Sequence, residues 1–190
     1  MPRQIAERAD LLPKLAELFR LRGYDGTSLA DIGAACGLGK GSLYHFFPGG
    51  KPAMAEAILA ETDAWFEGNV FAPLRAIPAG DAREARARLA DMCRAVEKEF
   101  RSGRRVCPFG LFALTETREM FGPRIRSYFQ RWVEAVARAL VIAGRGPAEA
   151  RTEAFDAIAG IQGALVLARA ADNPPAFAGA LARLQARLTA

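Results

Sequence analysis

The chain has 190 residues, 51% hydrophobic and 25% charged, which is enough for one sizeable core or two small ones and excludes wholesale disorder. The net charge of +5 permits an anionic partner without demonstrating one. The apolar stretch Ala157–Ala168 is interrupted by Gln162 and falls short of the ~18 residues a membrane span needs, and Met1-Pro2-Arg3-Gln4 opens a charged amphipathic pattern rather than a signal-peptide core, so a cytoplasmic location with no membrane partner is expected.

Alternating Val/Ile/Thr runs are absent, while Ala, Leu, Arg and Glu recur at helical spacing, so the predicted fold class is all-α with about nine helices. The first spans roughly Ala9 to Leu21, with Ile5, Leu12, Leu15 and Phe19 favouring one face; Pro13 starts or kinks it and Gly23 ends it. A short helix follows, capped by Thr27 or Ser28, with Asp31 at capping-box spacing from Ser28. Gly37-Leu38-Gly39 breaks the pattern, Lys40–Phe46 is a second short helix, and Pro48-Gly49-Gly50 closes it.

The fourth helix is expected over Pro52 to about Val70, with Pro73 and Pro78-Ala79-Gly80 in the next connection. A long arginine-rich helix runs from Asp81 to Arg101, and Cys107-Pro108 opens a short one through Leu114. Gly122-Pro123 begins a long helix to Ala143, Gly144-Arg145-Gly146-Pro147 turns, and Ala148–Ala171 forms the next. After Asn173-Pro174-Pro175 the last helix covers Ala176–Leu188.

Cys36, Cys93 and Cys107, odd in number and widely spaced, suit buried reduced thiols better than disulfides or zinc, and the lone His45 rules out a histidine-rich metal site; no cofactor is expected. A redox sensor at Cys107 is the sharper alternative. No nucleophile–base constellation or phosphate-binding loop points to catalysis, so the chain reads as a non-enzyme, although a helical carrier of a small molecule remains open.

Two short helices about a glycine-containing turn fit a helix-turn-helix. Leu29, Ile32 and Leu43 can bury between these helices and the first, and Ala34 and Ala35 are small enough to let axes approach. Thr27, Ser28, Lys40, Ser42, Tyr44, His45 and Lys51 are candidate donors to DNA phosphates, and Gly39 and Gly41 remove bulk where the backbone would near a duplex. Tyr44 and His45 have a plainer alternative, packing on the fourth helix.

The run Leu18-Phe19-x-x-x-Gly23-Tyr24-x-x-Thr27-Ser28-x-x-Asp31-Ile32 resembles the N-terminal signature of the TetR family of transcriptional regulators. Gly37-Leu38-Gly39-Lys40-Gly41-Ser42-Leu43-Tyr44-His45-Phe46-Phe47, followed by Lys51, is similar to that family's recognition helix and the start of its fourth helix. The resemblance implies that Thr27, Tyr44, His45 and Lys51 contact the sugar-phosphate backbone and that Lys40, Gly41 and Ser42 lie nearest the base edges of double-stranded DNA. Gly39, where the family often has Ser or Thr, and Pro13 depart from the pattern.

Phe47-Pro48-Gly49-Gly50-Lys51, Cys107-Pro108-Phe109-Gly110 and Gln162-Gly163-Ala164-Leu165 with Ala168-Arg169 are similar to the subgroup holding the lincomycin-resistance and flavonoid-responsive repressors. That likeness implies a small lipophilic or aromatic effector. Domain boundaries are expected at 1–50 for DNA binding and 51–190 for a helical bundle that binds ligand and dimerises. The candidate effector wall is Phe109, Phe112, Phe129, Trp132 and Gln162, against the alternatives of plain core and, for Gln162, a hydrogen-bonded interface glutamine.

A homodimer is implied as well, its candidate interface being Ala157, Ile161, Ala164, Leu165 and Ala168 with Phe177, Leu181 and Leu184, unless packing within one chain consumes both stripes. A two-fold dimer presents recognition helices about 34–36 Å apart, suited to a pseudo-palindromic operator. The arginines at 83, 86, 88, 94, 101, 104 and 105 interleave with Glu84, Asp91, Glu97 and Glu99 and read as a solvated, salt-linked face rather than a nucleic-acid stripe.

Overall fold

Helical spacing of apolar residues accounts for every long element. The structure, a computed structural model, describes residues 7–190, so Ile5 lies outside the described residues. Among these, every regular element is a helix: α1 (Arg8–Arg22), α2 (Leu29–Cys36), α3 (Lys40–Phe46), α4 (Gly50–Phe66), α5 (Ala72–Arg75), α6 (Ala82–Glu99), α7 (Pro108–Ala113), α8 (Thr117–Ile142), α9 (Pro147–Ala170) and α10 (Pro174–Thr189). Two further short pieces, a π-turn at Glu67–Phe71 and a 3-10 turn at Arg101–Gly103, follow α4 and the end of α6.

Two compact units emerge by packing. The first takes the described residues through Asp63 together with Pro108–Gly122; the second takes Ala64–Cys107 together with Pro123–Ala190. Packing therefore divides the chain at Asp63 rather than residue 50 and returns a later segment to the first unit.

In the first unit, Leu11, Leu15 and Phe19 are buried one turn apart on α1, while Leu12 is half-buried. Pro13 sits inside α1 and exposed, and the carbonyl its missing N–H leaves unpaired belongs to the exposed Ala9, so water can satisfy it. The returning segment contributes Phe112 and Phe121, whose rings stack at 5.7 Å, with Phe112 edge-on to Phe19 at 6.4 Å and to Tyr24 at 6.1 Å. Helix α8 starts at Thr117, earlier than expected, with Pro123 inside it. Thr117 is buried and its hydroxyl donates to the Phe112 carbonyl at 3.0 Å, which anchors that extra turn.

The second unit is built on rings. Phe66, Phe71, Phe100, Tyr128 and Trp132 are all fully buried, and Phe66 touches Tyr128 at 5.2 Å and Trp132 at 5.0 Å. The π-turn carries α4's helical run through Phe71 into α5, so Pro73 lies at the first turn of a helix and not in a connection. Glu67 on that turn pairs with Arg131 at 3.0 Å.

On α6 the buried stripe is Ala85, Leu89, Met92, Cys93 and Val96, while Arg88 pairs with Glu84 at 2.7 Å and Arg94 with Asp91. This is the salt-linked face the interleaved charges imply. Helix α10 runs along α9 and α6.

Candidate nucleic-acid interface

The α2–turn–α3 unit is assembled from local signals. Ser28 caps α2: its hydroxyl accepts from the Asp31 amide at 3.1 Å, and the Asp31 carboxylate accepts from the Ser28 amide at 2.9 Å. Those bonds from Ser28, with Arg22 beside it, lower the Asp31 carboxyl to about 2. Gly37 ends α2 at φ +69°, a left-handed conformation that suits glycine, and Leu38 then donates from its amide to the Gly33 carbonyl at 2.9 Å.

Close approach at this turn depends on Gly33 and not, as expected, on Ala34 and Ala35. A Cβ at Gly33 would lie 2.8 Å from the Leu38 carbonyl oxygen, whereas both alanines face solvent.

Helix α3 is held by one anchor. Leu43 is 1% exposed and Ile32 on α2 0%, while Leu29 is half-buried. Around that anchor Lys40, Gly41, Ser42, Tyr44 and His45 all stand exposed. No side chain caps the α3 N-terminus, where Gly39 stands. Tyr44 is 40% exposed with its ring beside Gly50, and His45 meets Phe46 edge-on at 5.4 Å. A seven-residue helix with one buried leucine and five exposed groups can present its leading end to a DNA groove.

Two candidate phosphate contacts are turned inward. Thr27 is fully buried and its hydroxyl donates to the Gly23 carbonyl at 2.6 Å. Lys51 is half-buried; its ammonium donates to the carbonyls of Tyr24 and Thr27, each at 3.0 Å, and lies 4.2 Å from the Tyr24 ring centroid. As the chain stands, these groups hold the α1–α2 turn and do not face outward. Ser28 is exposed at that turn but its hydroxyl is engaged in the cap.

Comparison with known proteins settles the lineage. Residues 11–58 match the model for bacterial regulatory proteins of the tetR family, and residues 83–181 match that for the C-terminal domain of LmrA/YxaF-like transcriptional regulators. The chain belongs to the TetR family. It is a DNA-binding transcriptional regulator and not an enzyme.

An uncharacterized HTH-type transcriptional regulator of Mycobacterium tuberculosis is 29% identical over 171 residues, covering 85% of this chain and 84% of the relative. A TetR transcriptional regulator from Legionella pneumophila superposes with a TM-score of 0.78 at 19% identity, covering 97% of this chain and 99% of that one, and so shares the fold. AibR, solved in complex with isovaleryl coenzyme A and operator DNA, matches with a TM-score of 0.61 at 24% identity over 82% of this chain and 83% of its own.

Within this TetR-family chain the candidate effector wall is divided between the two units. Phe109 and Phe112 are buried in the first unit, where Phe112 fills space among Phe19, Tyr24 and Phe121. Phe129, Trp132 and Gln162 belong to the second. There Trp132 is fully buried, Phe129 half-buried, and the Trp132 Nε1 and Gln162 Nε2 donors are both buried with no hydrogen-bond partner.

The candidate dimer stripe also needs correction. Ala157, Ile161, Leu165 and Ala168 on α9, and Phe177 and Leu181 on α10, are buried within a single chain, because packing of α10 along α9 consumes them. Ala164 and Leu184 remain half-buried. The exposed apolar face of α9 is a different one: Phe155 is 64% exposed, Val166 58% and Leu167 70%, with Ala159 and Gly163 between them. Spacings of four, four and three residues from Phe155 to Val166 were the available signal.

All three cysteines are buried and unbridged, and burial pushes the Cys93 thiol up to about 12 and that of Cys36 upward. Among the described residues no helix is long and apolar enough to cross a membrane.

Proposed function

We propose that the chain is a cytoplasmic homodimeric repressor that binds a pseudo-palindromic operator through α3 and leaves it when a small lipophilic or aromatic effector occupies the second unit. The observation that carries this reading is the division of α3 into one buried anchor, Leu43, and the exposed set Lys40, Gly41, Ser42, Tyr44 and His45. Lys40, Gly41 and Ser42 at the leading end read base edges, while Tyr44 and His45 hold the sugar-phosphate backbone.

The dimer forms through α9 and α10. Its support is the exposed stripe Phe155–Leu167, beside a groove of ≈ 350 Å³ walled by Gly160, Ala164 and Leu184. Asp156 and Arg183 line the same groove, so a two-fold partner can set each charge against its opposite. Effector binding is supported by the two buried unpartnered donors, Trp132 Nε1 and Gln162 Nε2, since buried donors without a partner are rare and an acceptor-bearing ligand would satisfy them. AibR's complex with isovaleryl coenzyme A and operator DNA is a precedent for this fold accepting both kinds of partner. Helix α4, continuous from one unit into the other, is the element through which effector occupancy alters operator affinity, a coupling of about 1–3 kcal/mol.

Selection of duplexes from a random pool with the purified chain tests this. Recovery of an inverted repeat with half-site centres about one helical turn apart supports a dimeric reader, and enrichment of a lone half-site or of nothing contradicts it. Operator affinity that stays unchanged across a broad panel of aromatic and lipophilic compounds would remove the effector part.

A further inference from the structure

We infer that Arg8, in the first turn of α1, is a phosphate clamp of the DNA-binding unit, held beside the trailing end of α3 by the ring of Phe47; this rests on the DNA-binding reading above. The other arginines of α1 are paired within the chain: Arg20 with Glu17 at 3.3 Å and Arg22 with Asp31. Arg8 is exposed, and its guanidinium carbon lies 5.0 Å from the centroid of the Phe47 ring. Among the described residues no carboxylate or carbonyl accepts from it.

Both supports of this contact are fixed. Phe47 follows α3 directly and is 1% exposed; its amide donates to the Leu43 carbonyl at 2.9 Å and its carbonyl accepts from the Gly50 amide at 2.8 Å. On the other side the Asp10 carboxylate accepts from the Glu7 amide at 3.0 Å, which closes the first turn of α1 around Arg8. A ring face neutralises no charge, so the planar fork of guanidinium donors stays able to grip a phosphate. Tyr44 and His45 are exposed on the last turn of α3, just before Phe47, so the sugar-phosphate backbone they hold passes beside Arg8. Arg8 thereby adds a contact from outside the helix-turn-helix, one that anchors without reading bases.

The test measures duplex affinity against salt concentration for wild type, Arg8→Ala, Arg8→Gln, Arg8→Lys and Lys14→Gln, on a duplex selected with the wild-type chain. Lys14 is exposed six residues further along α1, on another face, and its replacement removes the same charge. Arg8→Ala and Arg8→Gln should each lose on the order of tenfold in affinity and about 0.9 in the magnitude of the slope of log K against log[salt], on matched and mismatched duplexes alike. Arg8→Lys should keep the slope and recover part of the affinity, since the charge stays and the fork goes. Lys14→Gln should leave the slope unchanged.

A slope unchanged in Arg8→Ala and Arg8→Gln overturns the inference even where binding weakens, because Arg8 then acts only through its packing on Phe47. An equal fall in slope in Lys14→Gln overturns it too, by assigning the effect to net charge. Arg8→Gln keeps a planar group for the ring and carries the measurement should Arg8→Ala not fold. A wild type that binds no duplex ends the DNA-binding reading and the Arg8 contact with it; a wild type that binds with a slope indifferent to Arg8 ends only the contact.

Discussion

Helices α3 and α9 are both rich in small residues, yet one is easy to orient from sequence and the other is not. In α3 Leu43 is the one buried residue and Phe46 is half-buried, while Lys, Gly, Ser, Tyr and His stand exposed, so a single face meets the core. In α9 apolar residues occupy two faces. Ala157, Ile161, Leu165 and Ala168 are buried within the chain, and Phe155, Val166 and Leu167 are exposed. A helix apolar on two sides has two faces that could meet a core, and period alone does not say which one meets the chain's own.

The largest effect that sharpens this contrast comes from the buried faces. Leu43→Ala and Leu165→Ala should each lower unfolding free energy by about 2–5 kcal/mol in urea denaturation, because both leucines are at most 3% exposed. Phe155→Glu should leave urea stability of the single chain nearly unaltered and weaken self-association at least tenfold in sedimentation; a dimer untouched by it would return the interface to some other face.

Within α3, Lys40→Ala or Ser42→Ala should change which half-site is preferred, by about 1–3 kcal/mol between matched and mismatched duplexes. Tyr44→Ala should weaken all duplexes alike in the same titration, and equal losses from all three substitutions would contradict the division of roles.

A smaller effect lies at the α2 cap. Ser28→Ala should cost about 1 kcal/mol of unfolding free energy. The neighbouring Asp31 carries a pH signature. Its folded-state carboxyl is lowered from 3.8 to about 2, so its stabilising contribution is fully present above pH 3.8 and is lost as pH falls through about 2. Asp31→Asn should flatten that part of the acid-unfolding curve. The smallest effect is expected from Ala34→Glu, within about 0.5 kcal/mol because Ala34 is exposed, whereas Gly33→Ala must displace the Leu38 carbonyl and should destabilise measurably in the same assay.

Much of this was legible before any coordinates. The Ser28–Asp31 capping box and the Gly37 turn follow from local chemistry, and local chemistry decided them, whereas Pro147 and Pro174, expected in the connections, open α9 and α10. What escaped depends on contacts distant in sequence. Pro13 and Pro123 sit inside helices because buried Leu11, Leu15 and Phe19 in one case, and Thr117 and Phe121 in the other, fix the surrounding turns. Phe109 and Phe112 read equally well as effector wall and as core, and their return to the first unit rests on contacts distant in sequence. Lys51 illustrates the same limit: a lysine in the first turn of a helix has one sequence signature whether it points to a phosphate or back to the Tyr24 and Thr27 carbonyls.

Everything functional rests on α3 being the element that meets DNA. Amide hydrogen exchange of the full chain, with and without a selected duplex, tests that most directly. The account predicts protection concentrated at residues 39–46 and at the start of α2, with the arginine-rich face of α6 unchanged. Protection on α6 with none at residues 39–46 would contradict it.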